Sequence, residues 1–197
     1  MYVAEINRIV VFCNRTKATT GIRANLINAY QINGDIVNLR IDSKPMEKWD
    51  ARFCDLAKFV SEWSKDPNAK VGAVVFAKRG GDVSIGYNGF PMGVEDSAER
   101  LADNDMKLEL VVHAEQNALI AAGSRASGST IYVWGKPVCA RCAGSIIQAG
   151  VKRVVALSPE SVPESSKWHK TGKVAFDIFR EAGVEVDFYS IDNQPVE

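Results

Sequence analysis

Two short stretches of the chain hold residue types that can do chemistry. His113-Ala114-Glu115 sets an imidazole and a carboxylate two positions apart, and Cys139-Ala140-Arg141-Cys142 sets two thiols three apart. One imidazole and two thiolates are three borderline-soft donors suited to zinc. Three protein donors leave a fourth position for water, the pattern of a reactive site rather than a closed structural knot. Zinc lowers the pKa of bound water to about 7, and a carboxylate such as Glu115 can then carry the proton. Other readings stay open on the residues alone. Cys-x-x-Cys after a strand is also a redox motif. A four-ligand knot would recruit His169 or one of the isolated cysteines, Cys13 and Cys54. Glu115 in the first turn of a helix would simply favour the helix dipole. A spacing of two is not a same-face helical spacing, so the convergence of His113 and Glu115 does not follow from sequence. His169, without a companion motif, reads as a surface helix residue.

Elements that would position these groups follow from periodicity. Residues 1–42 carry β-like runs at Ile9–Phe12 and Ile36–Leu39, with Asn33-Gly34-Asp35 as a turn. Ser43 can cap a helix with Pro45 in its first turn. Met46, Trp49, Phe53, Leu56, Val60 and Trp63 then recur at spacings of three and four, a helical stripe that stops near Lys65-Asp66-Pro67. VGAVVF (71–76) and VSIGYN (83–88), joined at Gly80-Gly81, predict a hairpin. NGFPMG (88–93) predicts a loop, and a polar stretch leads to a helix over 113–122 closed by Gly123. Strand TIYVW, helix from Cys139 to Gly150, strand RVVAL, helix over 167–183 and strand VEVDFY complete the chain. That alternation with short connections predicts a parallel sheet segment covered by helices. Ligands of such α/β units gather where strands end and helices begin, and both reactive stretches sit at such junctions.

Bulk properties exclude several classes. The 197 residues carry 24 basic and 24 acidic side chains, so nothing global draws the chain to nucleic acid or an anionic surface. There is no apolar run of membrane-spanning length, and the N-terminal stretch lacks the pattern of an export signal. Four cysteines with two isolated make no disulfide framework, which points to a reduced, cytoplasmic protein.

His-Ala-Glu followed by Cys-x-x-Cys is similar to the signature of zinc nucleobase deaminases. More of the chain resembles the deoxycytidylate (dCMP) deaminases of the cytidine/deoxycytidylate deaminase family. The words are SKDPNAKVGAVV (64–75), GYNGFP (86–91), VVHAEQNAL (111–119), CARCAGSIIQAGVKRVV (139–155) and FREAGVEV (179–186), in family order. The resemblance implies a three-layer α/β/α fold, a mixed sheet of about five strands with helices on both faces. It implies a deaminase domain over 45–190, leaving 1–44 as an N-terminal extension and 191–197 as a tail. It implies hydrolysis of dCMP to dUMP and ammonia, feeding thymidylate synthesis, with zinc held by His113, Cys139 and Cys142. Glu115 would move the proton. Val71, Gly72 and Ala73 would line the pyrimidine by their backbone, and the Ala114 carbonyl would accept from the amino group. Asn88 would lie over the sugar, or alternatively serve as a turn residue. Ser64 and Lys65 would meet the 5′-phosphate, or alternatively punctuate a helix end; Arg141, between the cysteines, is a further candidate or alternatively a solvent-facing helix residue. Other free bases or nucleotides (dCTP, a modified cytosine nucleotide, guanine) and a non-catalytic zinc-containing nucleotide-binding module are the alternatives. The family further implies a homo-oligomer and allosteric dCTP and dTTP. Met92, where many relatives carry a basic residue, argues against such an anion contact. Val138 stands where relatives carry proline directly before the first cysteine.

Overall fold

The computed structural model describes residues 27–32, 35–40, 48–77 and 79–189, the first two segments by backbone alone. The chain divides into two compact units, Met1–Pro45 with Pro195–Glu197, and Met46–Gln194. In the first, β1 (Ile27–Ile32) pairs antiparallel with β2 (Asp35–Arg40), Ile32 opposite Asp35. The expected strand over 36–39 is therefore present, and its partner is 27–32. The Ile9–Phe12 run, the cap at Ser43 and the tail lie outside the described residues.

The second unit is built on one mixed sheet of order β4-β3-β5-β6-β7. The hairpin β3 (Gly72–Ala77) and β4 (Asp82–Tyr87) is antiparallel, as is β3 with β5 (Thr130–Trp134). β6 (Arg153–Leu157) and β7 (Glu185–Tyr189) extend it in parallel. On one face lies α1 (Lys48–Ser61), whose Phe53, Cys54 and Ala57 pack on Val74, Tyr132, Val155 and Tyr189. On the other lie α4 (Ala114–Ala122), α5 (Ala140–Gln148) and α6 (Lys167–Glu181), covering Val71, Ala73, Val75, Ile131 and Val133. This is the three-layer α/β/α arrangement. The polar stretch before His113 forms two short helices, α2 (Ala98–Ala102) and α3 (Asn104–Leu110), capped by Ser97 and Asp103.

Two strand glycines set the layer spacing, one for each face. A Cβ on Gly72 would lie 2.0 Å from the Ala57 carbonyl oxygen of α1, and one on Gly86 would lie 2.3 Å from the Ala118 nitrogen of α4. No real Cβ tolerates either contact, so each glycine marks a place where a helix backbone rests directly on the sheet.

Two expectations are corrected. The inward face of α1 runs through Asp50, Phe53, Cys54, Ala57 and Val60, whereas Trp49 and Trp63 are exposed. The helix is turned because buried Asp50 accepts from Arg153 at 2.7 and 2.9 Å and from the Tyr132 hydroxyl at 2.8 Å. A hydrophobic stripe does not reveal an aspartate whose partner lies a hundred residues away. The second correction concerns His169, which is buried and not at the surface, its Nδ1 3.0 Å from the Pro159 carbonyl.

Candidate metal centre and active site

α4 and α5 aim their N-termini at the same point, and each opens with a metal-type donor. His113 caps α4 in extended conformation (φ −70°, ψ 153°), its N–H donating to Gln116 Oε1 at 3.3 Å. Cys139 caps α5 the same way (φ −83°, ψ 160°), its sulfur accepting from the Cys142 N–H at 3.4 Å. Because His113 is a cap and not a helical residue, the same-face rule does not govern its relation to Glu115. That is how two residues at a spacing of two converge.

His113 Nδ1 stands 3.6 Å from Cys139 Sγ and 3.3 Å from Cys142 Sγ, and the three donor atoms lie within 4.8 Å of one another. Tetrahedral zinc with its usual bond lengths wants donors about 3.5–3.8 Å apart. The donor set fits zinc in both chemistry and spacing. The two thiols are perturbed in opposite directions. Cys139 is pulled down to about 4 by the hydrogen bond from Cys142 and by His113, against the opposing effect of burial. Cys142 is pushed up by that same bond and by burial. The thiolate in turn raises His113. Occupation by a dication replaces these protons, so metal binding releases them.

Glu115 is 4% exposed. Burial drives its carboxyl above the usual carboxylate range, against the opposing charge of His113, and the carboxyl and the Cys142 thiol act on one another's proton affinity. A buried carboxylate with raised pKa, beside the ligand set, is suited to proton transfer and is wasteful as a dipole partner.

The remaining expected residues fall into two groups. Val71, Ala73 and Ala114 share one buried cluster with Cys139 and Cys142, and the Ala114 carbonyl lies on the Gly86 side of α4. Gly72 is turned the other way, toward α1. Asn88 is buried and its amide is spent on the chain leading into β3, accepting from Val71 N–H and donating to the Ala69 carbonyl, both at 2.8 Å. Ser64 donates to the Asn88 carbonyl at 2.8 Å and accepts from Asp66 N–H. Lys65 points outward, 68% exposed, and pairs with Asp96 at 2.8 Å. It lines a cavity of about 140 Å³ with Trp63, Tyr87, Phe90 and Lys107, to which the metal ligands do not contribute. Arg141 is exposed beside the ligands, close enough for its charge to act on His113.

Sequence reasoning missed two features. Lys107 lies in the polar stretch before His113, yet its side chain is 5% exposed and its ammonium donates to Asp66 at 3.2 Å. Asp66 also receives Asn68 and Ala69 N–H, so the pair fastens the turn before β3 to α3. Trp168 of α6 flanks His113, ring centroids 6.3 Å apart. Neither feature has a local sequence signal.

Residues 47–158 match the family described as the cytidine and deoxycytidylate deaminase zinc-binding region. An uncharacterized deaminase in the luxG 3′ region of Aliivibrio fischeri is 40% identical over 148 residues, covering 75% of this chain and 97% of the relative. Human deoxycytidylate deaminase is 35% identical over 168 residues, covering 75% and 90%. The structure of the dCMP deaminase from cyanophage S-TIM5 with dCMP and dUMP superposes with a TM-score of 0.56 at 28% identity, covering 72% and 97%. The chain belongs to the zinc-dependent cytidine and deoxycytidylate deaminase family.

Proposed function

We propose that this member of the family hydrolyses the exocyclic amino group of dCMP, giving dUMP and ammonia. The single observation that carries the reading is Glu115, buried in the first turn after His113 beside the His113-Cys139-Cys142 donor set, since a structural zinc site has no use for that carboxylate. Zinc, when bound by those three residues, supplies Lewis-acid activation of water at neutral pH. Glu115 takes the proton from the attacking water, delivers it to ring N3, and assists departure of the amino group as ammonia. Its raised proton affinity matches both halves of that task. Val71, Gly72 and Ala73 offer the backbone edge for the pyrimidine. Asn88 acts on the sugar side chiefly by holding that edge in place, and Ala114 closes the buried wall beside the ligands. The substrate class of the S-TIM5 enzyme and of human deoxycytidylate deaminase supports dCMP over other nucleotides.

For the 5′-phosphate, Ser64 and Lys65 belong to the family word. The Ser64 hydroxyl is already committed to backbone, which leaves Lys65 as the cation. Arg141 is favoured as a second reading by its place beside the ligands without an ion pair among the described residues. Met92 is fully exposed and carries no charge for an anion, which supports turnover independent of dCTP and dTTP. The exposed ring ladder Phe59–Trp63–Tyr87, with centroids 5.8 and 6.0 Å apart, supports association into a homo-oligomer. Among the described residues no helix is long and apolar enough to cross a membrane. Four cysteines without a disulfide framework favour a reduced, cytoplasmic setting.

Ammonia release from a panel of cytosine, adenine and guanine nucleotides tests the substrate. Glu115→Gln is expected to keep stoichiometric zinc and to lose turnover; wild-type activity in that variant would sink the mechanism.

A further inference from the structure

The first turns of α6 touch each part of the metal centre. Thr171 Oγ1 accepts the N–H of Ala140, the first residue of α5, at 3.0 Å. Trp168 lies beside His113. Gly172 sits so close to the loop before Cys139 that a Cβ there would be 3.2 Å from Pro137 Cβ. Positions 168, 171 and 172 are spaced three and four apart, so one face of one helix meets the histidine, the cysteine helix and the cysteine loop. That helix end is itself fixed, by Ser166 accepting from Trp168 N–H at 3.2 Å and by His169 against the Pro159 carbonyl.

We infer that Thr171 is a positioning residue for the metal centre, holding the first turn of α5 so that Cys139 and Cys142 present their sulfurs to the same point. The opening N–H groups of a helix have no partner within it. At α5 the Ala140 N–H is satisfied by Thr171 and the Cys142 N–H by Cys139 Sγ. Without the Thr171 acceptor the first turn is free to fray, and fraying moves both sulfurs at once. Outer residues that orient metal ligands cost about 10–100-fold in metal affinity when removed. The inference rests on the reading of His113, Cys139 and Cys142 as zinc ligands.

The test is zinc affinity of the full-length protein, by competition with a chromophoric chelator in the absence of substrate. Thr171→Val keeps the side-chain shape and removes the acceptor, so it is expected to bind zinc at least 10-fold more weakly. Thr171→Ser keeps the acceptor and is expected to stay near wild type. With saturating zinc the KM for dCMP is expected to be unchanged in both. Thr171→Ala, which removes the hydroxyl without the added methyl, gives an independent route should the valine variant fold poorly. Unchanged affinity in Thr171→Val or Thr171→Ala, or an equal loss in Thr171→Ser, would overturn the inference. A wild-type protein that binds no zinc would overturn the metal site itself, and normal zinc binding without dCMP turnover would overturn only the substrate reading.

Discussion

Gly86 and Gly72 offer a matched pair of perturbations that separate fold from chemistry. The methyl of Gly86→Ala would meet the Ala118 nitrogen at 2.3 Å and the Ala114 carbonyl oxygen at 2.4 Å. Both are backbone atoms of α4, so no side chain can yield. Since ordinary contact begins near 3.4 Å, the helix must retreat from the sheet by about 1 Å, and interiors packed to crystal density have no slack for it. Overpacking of this kind costs about 1–3 kcal/mol or somewhat more. α4 carries Glu115 in its first turn and follows directly on His113, so the retreat displaces a ligand and the proton carrier together. A misplacement of about 1 Å at a catalytic group costs on the order of 100-fold in rate. Gly72→Ala drives its methyl into the Ala57 carbonyl at 2.0 Å, which pushes α1 off the opposite face. It is expected to cost at least as much stability but to lower kcat per folded, zinc-loaded molecule far less than Gly86→Ala, because the shift falls on α1 and not on the helix that carries Glu115. Urea unfolding gives the stabilities, and kcat with bound zinc quantified gives the activities. The reasoning fails if Gly86→Ala retains wild-type kcat, or if both variants lose kcat alike.

Lys107→Met strips the buried Asp66 of its counter-charge and is expected to cost about 3–5 kcal/mol in urea unfolding; a loss near zero would mean the pair is solvated. Burial raises the Asp50 carboxyl, but the Arg153 and Tyr132 hydrogen bonds outweigh it and hold the group below its ordinary 3.8. Its contribution is therefore present above pH 3.8 and fades as pH falls through the folded value, so Asp50→Asn should flatten the stability profile in that acid window. Glu115 behaves oppositely, because its raised pKa makes the buried carboxylate an increasing burden as pH climbs from its ordinary 4.5. Zinc-stripped Glu115→Gln should be more stable than wild type at pH 7 and equal to it below about pH 4, by thermal unfolding in chelator. Lys65→Ala should raise KM for dCMP more than for deoxycytidine; equal effects would mark a structural lysine, and the same split in Arg141→Ala would assign the phosphate there.

The ligands were legible because metal chemistry restricts residue type, and because strand-to-helix junctions are where such residues collect. The order of strands 71–189 was legible from periodicity and from the glycines that stop each helix. What could not be read depends on contacts distant in sequence. Asp50 is buried only because Arg153 arrives from β6, so the face of α1 was misjudged by the width of a residue or so. Lys107 is inward only because Asp66 waits at the end of a turn. His169 looked solvent-facing because helix periodicity cannot see a carbonyl on the preceding loop. Each miss is a polar group whose partner, not its own character, decides its burial.

The same logic explains how the loop before Cys139 does without a proline next to the ligand. A proline there would fix the chain by its ring. Val138 instead is 5% exposed and packs in the core with Val154, Ala156 and Ala175. Pro137 is fully buried one position back, against Gly172, and Gly135 brings the other end of the loop so close to the Lys70 carbonyl that a Cβ would stand 2.4 Å from it. The loop is held by β6, α6 and the chain entering β3 together, which ties the metal cysteines to the Val71–Ala73 edge. The valine therefore replaces a local covalent constraint with packing, and the rigidity of the metal loop here is a property of the assembled core. Substitutions in α6 or at Gly135 should then reach the metal, whereas in a chain with proline next to the cysteine the ring would partly insulate it.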